Sequence, residues 1–244
     1  MNIGLFIPCY IDQFYPRVGI ALVELLERVG CQISYPLDQT CCGQPLANNG
    51  MESEARGVYS HFINTFGSYD YVVAPSASCV YHIRHHYDIL EQTKAVIHLR
   101  DRTLDVVEFL TDVLKTDNLN AYFPHRVGLH QSCHGLRGLE LGKPTELMIP
   151  DFSKIKYLLS QVRGIEMVEL DTPDECCGFG GTFAVKEEAI SVKMGKDRIA
   201  DHEKNGVEVI TATDMSCLMH LEGIIRREKK DLRVMHVVEI LNSG

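Results

Sequence analysis

Eight of the nine cysteines in this 244-residue chain fall into one frame written twice. Cys41-Cys42-Gly43 recurs as Cys176-Cys177-Gly178. A lone cysteine precedes each pair, Cys9 by 32 residues and Cys133 by 43. Another follows each pair, Cys79 by 37 residues and Cys217 by 40. Four soft sulfur donors per half match the ligand count of a zinc site or of a four-iron cluster. The spacings fit neither usual pattern. There are no paired CxxC knuckles of a zinc ribbon and no CxxCxxCxxxCP run of the bacterial ferredoxin type. Thiol exchange is the other chemistry open to vicinal thiols, but these pairs lack the CxxC spacing of thioredoxin-like proteins. Metal binding is favoured over a purely structural role for the thiols, and iron-sulfur over zinc.

Other residues near the thiols read as support. Gly43 and Gly178 let the backbone approach a bound group closely. Gly178-Phe179-Gly180-Gly181 lacks the full phosphate-loop pattern and its lysine, so close packing is preferred to a nucleotide there. His82, His85, His86, His130, His134 and His220 lie near cysteine segments. Satisfied surface or supporting histidines are the favoured reading, with His134, beside Cys133, singled out. Asp214 is either an oxygen ligand or a helix cap, and the cap is favoured. Cys31 has no counterpart in the second half and reads as a small buried residue at a strand start. Spacing reveals no triad or paired carboxylates, so no catalytic residue is assigned.

The elements that must position the thiols alternate between short apolar runs and amphipathic stretches. Strands are expected at 3–7, 31–35, 71–74, 126–130, 166–170 and 207–211. Helices are expected at 14–29, 48–66, 103–114, 153–162 and 186–205, and beginning near 78 and 216. Residues 95–99 read as a strand or an extended linker, and Asn48 as a helix cap. Val237-Val238-Glu239-Ile240-Leu241 echoes Val106-Val107-Glu108-Phe109-Leu110, a sign of duplication that involves no cysteine. The alternation implies an α/β fold of two pseudo-duplicated domains, 1–120 and 121–244, each a mainly parallel sheet flanked by helices. The cysteines would sit at strand C-terminal ends, where such sheets gather ligands.

Net charge is −9, the hydrophobic fraction 45% and the charged fraction 23%, ordinary for a globular chain and unfavourable for nucleic-acid binding. No signal-peptide pattern opens the sequence, and no apolar run is long enough for a transmembrane segment. The expected setting is cytoplasmic, where thiols stay reduced or metal-bound.

Together these motifs resemble the cysteine-rich (CCG) domain family. The resemblance rests on Gly4-Leu5-Phe6-Ile7-Pro8-Cys9, Thr40-Cys41-Cys42-Gly43-Gln44-Pro45, Glu175-Cys176-Cys177-Gly178-Phe179-Gly180-Gly181 and Thr213-Asp214-Met215-Ser216-Cys217-Leu218. It covers essentially the whole chain. Family members include the B subunit of heterodisulfide reductase, the iron-sulfur subunit of glycolate oxidase and the A component of bacterial lactate utilization. The pattern is nearest to the last. The resemblance implies one α/β domain per half and a cluster in one or both halves, of four-iron type. Its ligands would be Cys9, Cys41, Cys42 and Cys79, then Cys133, Cys176, Cys177 and Cys217. Zinc in one half is the alternative. The family's fullest pattern ends each frame in CxxC. Here Ser76 and Asp214 replace the first cysteine of that ending, which removes one thiolate from each site.

The implied role is an iron-sulfur electron-transfer subunit of a complex that oxidises L-lactate to pyruvate. It would be a component of that oxidoreductase rather than a complete enzyme alone. Its partners would be a ferredoxin-type iron-sulfur subunit and a third lactate-utilization protein. A thiol/disulfide reductase subunit of the heterodisulfide type and a zinc-stabilised, non-enzymatic assembly protein are the competing readings.

Overall fold

Runs such as Val72-Val73-Ala74, with no exposure at any of the three residues, are what a parallel sheet covered on both faces requires. The computed structural model describes all 244 residues and divides into two units, Met1–Thr116 and Asp117–Gly244. In the first unit, β1 (Ile3–Leu5), β2 (Ile33–Ser34), β3 (Tyr71–Ala74) and β4 (Thr103–Asp105) form a parallel sheet in the order β2-β1-β3-β4. In the second unit, β5 (Arg126–Leu129), β6 (Glu166–Val168), β7 (Val209–Ala212) and β8 (Arg233–His236) repeat it as β6-β5-β7-β8, again all parallel.

This order places the site. From β1 the chain crosses to one side to make β2, then returns to the other side of β1 to make β3. The β1/β3 boundary is therefore a topological switch point, where the loops leaving the strand ends part and open a crevice. Cys9 follows β1, Cys41 and Cys42 follow β2, and Cys79 follows β3. Cys133, Cys176-Cys177 and Cys217 follow β5, β6 and β7 in the same way.

Several expectations are corrected. Residues 95–99 are not extended but lie within the helix Lys94–Arg102. The Thr93 hydroxyl accepts from the Val96 N–H at 3.3 Å to start it, and Val96 and Leu99, three apart, bury on one face. The helix expected at 103–114 begins instead as strand β4. Helical structure starts at Val106, behind a capping box in which the Asp105 carboxylate accepts from Val107 N–H and the Glu108 carboxylate from Asp105 N–H. His236 and Glu239 rebuild that box after β8, with the His236 ring nitrogen Nδ1 as acceptor, which explains the Val-Val-Glu echo. Asn48 caps no long helix. It closes the short helix Gln44–Ala47, and the helix Glu52–Phe66 starts behind Met51.

Cys31 has a purely local role. The helix Pro16–Arg28 ends with Gly30 at φ +85°. The Gly30 N–H donates to Glu27 O and the Cys31 N–H to Leu26 O, both at 2.9 Å, which is the Schellman closure. No helix is long and apolar enough to cross a membrane.

Candidate metal centres

In the first unit the four framed cysteines meet. Cys9 Sγ lies 3.9 Å from Cys41 Sγ, and Cys42 Sγ lies 3.5 Å from Cys79 Sγ. Gln39 draws the pair-bearing loop onto the end of β1. Its amide oxygen accepts from the Ile7 N–H at 2.8 Å, and its NH2 group donates to Leu5 O at 3.2 Å and Pro36 O at 3.0 Å. Cys79 sits in the first turn of the helix Ala77–His86, where Ser76 is the cap and its hydroxyl accepts from the Cys79 N–H at 3.4 Å.

Cys41 is the natural thiolate of this group. The Cys42 and Cys9 thiols donate to it, and against its burial these bonds, the Gly43 N–H at 3.4 Å and the nearby His82 bring it down to about 3. Cys9 is correspondingly pushed up, first by its bond to Cys41 and then by burial, and Cys42 by its bonds to Cys41 and Cys79. Behind the thiols stands an aromatic wall. Tyr59 stacks on Tyr87 at 4.1 Å, Phe6 meets Phe62 edge-on at 5.0 Å, and the Tyr87 hydroxyl donates to Cys42 O at 3.1 Å.

The second unit repeats the logic with different chemistry behind it. The Cys133 and Cys177 thiols donate to Cys176 which, with the Gly178 N–H at 3.4 Å, falls to about 2 despite its burial. Cys133 is pushed up by its bond to Cys176 and by burial. Cys177 rises through its bonds to Cys176 and Cys217. Cys217, in the first turn of the helix Met215–Glu228, is lowered to about 7 by the Cys177 thiol and the adjacent His130 ring, against its burial. Ligand atoms of His130, Cys177 and Cys217 all lie within 4.8 Å of one another, a group able to hold a metal ion.

Supporting residues divide. Gly43 and Gly178 are where they were expected, at φ +87° and +86°. A Cβ on Gly178 would stand 2.6 Å from the carbonyl oxygen of Ser191, a backbone atom that cannot turn aside. Gly178→Ala should therefore cost about 1–3 kcal/mol through the left-handed backbone and the clash. Urea denaturation of the metal-free chain reads this, and an unchanged midpoint would contradict the loop geometry. Asp214 is the buried N-cap residue of the Cys217 helix, as favoured, although its side chain makes no capping hydrogen bond. Its charge opposes ionisation of Cys217. His134 is half-buried beside Cys133 and lies outside the His130–Cys177–Cys217 group. His82 is held by the Tyr59 hydroxyl at 3.0 Å and His220 by Ser191 O at 3.2 Å.

One support was not anticipated. Arg198, fully buried, pairs with Asp201 at 2.5 Å and donates to Thr172 O. Asp201 also accepts from the N–H groups of Asp171 and Thr172 at 3.1 and 3.0 Å and from the Thr172 hydroxyl at 2.9 Å. The helix Glu188–Lys204 thus grips residues 171–172, the approach to Cys176-Cys177. Arg and Asp three apart on a helix look in sequence like an ordinary surface pair, and only burial distinguishes this one.

The donor set fits a thiophilic metal group. Each half offers four thiols, with Cys41 in the first and Cys176 and Cys217 in the second pushed below the usual thiol range by their neighbours, and soft sulfur is the ligand for zinc and for iron-sulfur clusters.

Comparison with known proteins agrees with this arrangement. The Cysteine-rich domain (CCG) family matches residues 3–84 and 127–222. Lactate utilization protein A of Geobacillus sp. (strain WCH70) is 40% identical over 248 residues, covering 100% of both chains. Lactate utilization protein A 2 of Bacillus cereus (strain Q1) is 37% identical, covering 100% of this chain and 99% of that one. Among solved structures, Picrophilus torridus aspartate racemase aligns with 99% of this chain and 90% of its own at 13% identity and a TM-score of 0.35. That likeness is too distant to inform fold or chemistry. The duplicated sheets, the two sets of converging thiols and the full-length similarity make this chain a member of the CCG cysteine-rich domain family, homologous along its whole length to the bacterial lactate utilization A proteins.

Proposed function

We propose that this chain is an iron-sulfur electron-transfer subunit of a complex that oxidises L-lactate to pyruvate. Cys9, Cys41, Cys42 and Cys79 hold a four-iron group in the first half. Cys133, Cys176, Cys177 and Cys217 hold the corresponding group in the second. The observation that carries the reading is the twofold convergence of four thiols at a switch point, in a chain similar end to end to proteins named for lactate utilization. Such a group, when bound, accepts and releases single electrons. The protein supplies thiolates at Cys41 and Cys176, helix N-termini beneath Cys79 and Cys217, and glycines that admit the backbone to the group's surface. A ferredoxin-type iron-sulfur subunit and a third lactate-utilization protein are the partners this role needs, since no paired acid and base for lactate oxidation is recognised in this chain. The proposed setting is the cytoplasm.

A zinc-stabilised assembly role is the second reading, and one observation favours it. A tetrahedral Zn–S bond of about 2.3 Å implies sulfur–sulfur edges of about 3.8 Å. The separations of 3.9 and 3.5 Å in the first unit approximate that. The test is reduction by substrate. Adding L-lactate to the anaerobically purified chain with both partner subunits should bleach its visible absorption, and omitting either partner should prevent this. Disulfide turnover by this chain alone with a reductant, and no response to lactate in the full complex, would overturn the proposal.

A further inference from the structure

The two thiol groups are not copies of one another, and the difference lies in a residue outside the cysteine frame. His130 stands three residues before Cys133, directly after β5. The same place before Cys9 is held by Phe6, whose ring is fully buried between Phe62 and Phe66. His130 is only 1% exposed, no oxygen or nitrogen atom is hydrogen-bonded to either of its ring nitrogens, and the polar group that acts on the ring is the Cys217 thiol. A buried imidazole that faces thiols, with no carboxylate or backbone carbonyl holding it, has a ring nitrogen to offer a metal. The ring's ligand atom lies within 4.8 Å of Cys177 Sγ and Cys217 Sγ.

Other histidines sharpen the contrast. His82 and His220 each stand three residues after the last framed cysteine of their half, and each already holds a hydrogen bond. His202 is also buried with both ring nitrogens unpartnered, but the groups acting on it are Arg198, His130 and Asp201, with no thiol among them. Of these, His130 alone is buried with its ligand atom within 4.8 Å of two thiols and no oxygen or nitrogen partner on its ring.

We propose that His130 is a nitrogen ligand, beside Cys177 and Cys217, to the group that the four framed cysteines of the second half hold, so that the two halves hold chemically different centres. The first half is an all-thiolate site against an aromatic wall. The second is a mixed imidazole–thiolate site. A neutral imidazole donates less negative charge than a thiolate, so a redox-active group held this way is reduced more readily than its all-thiolate counterpart. Electrons entering the chain would then settle in the second half. This inference rests on the reading that the second half binds a metal group, and deepens it.

Pulsed electron paramagnetic resonance of the full chain, purified and reduced without oxygen, tests the ligand. The protein is prepared with natural-abundance and with 15N-labelled histidine. Metal per half is measured alongside by comparing wild type with Cys177→Ser. The expected result is strong nitrogen coupling that changes with the histidine label and disappears in His130→Phe, but survives in His202→Phe. Metal in the second half without histidine coupling in the wild type would overturn the role of His130 while leaving the proposed function standing. No metal in the second half would overturn both. Absence of histidine coupling in the wild type overturns the assignment even if His130→Phe fails to fold. If the resident metal is spectroscopically silent zinc, cobalt substitution supplies the paramagnetic centre, and the same outcomes apply.

Discussion

Cys177→Ser protein purified without oxygen should carry the metal of its first half only. A serine hydroxyl is a poor substitute for a soft thiolate on iron or zinc. Cys177 is buried and donates toward Cys176 while facing Cys217, so its loss removes the middle of the second donor set. Metal content should fall by roughly half if both halves are loaded in the wild type. Lactate-driven electron transfer through the complex should drop below detection. Cys31→Ser is the matched control. That thiol is raised by burial alone, and its backbone closes a helix. Its replacement should leave metal content and activity at wild-type levels. Metal loss in Cys31→Ser with normal metal in Cys177→Ser would reverse the assignment.

The largest stability effect is expected at Asp201. Asp201→Ala leaves the fully buried Arg198 guanidinium without its carboxylate and releases residues 171–172 from the helix beneath them. Breaking a buried pair from one side costs about 3–5 kcal/mol. Arg198→Met combined with Asp201→Leu should cost less than Asp201→Ala alone, because no charge is stranded. Denaturation of the metal-free chain measures both. Equal costs would mean that the pair acts through packing alone. The pH dependence follows from the same contacts. Burial tends to raise Asp201, but the bonds from Thr172 and Asp171 and the Arg198 charge outweigh it and hold the carboxyl below its usual range. A depressed folded value means that this stabilisation is fully present above about pH 4 and is lost as pH falls further.

Much of this architecture was legible in the sequence because parallel strands buried on both faces declare themselves as apolar runs. Residues 71–74 were bounded correctly for that reason. The fourth strand of each sheet was not. Thr103–Asp105 and Arg233–His236 are short, carry polar residues and run into the next helix with no turn residue between. Their pattern therefore merges with the helical one. The eight framed cysteines were found from their repeat, which the strand order then brings to one sheet edge in each unit. His130 is not set apart among six histidines in the sequence because nearness to a cysteine along the chain does not tell a buried ring that faces thiols from a solvated or hydrogen-bonded one. Arg198 and Asp201 carry no such signal, since spacing on a helix does not tell a buried pair from a solvated one.

Metal and sulfide analysis of the wild-type chain, purified and assayed without oxygen, tests the central claim most directly. The account predicts a brown protein with about four iron and four acid-labile sulfide per occupied half. A colourless protein with stoichiometric zinc and neither iron nor sulfide would contradict it.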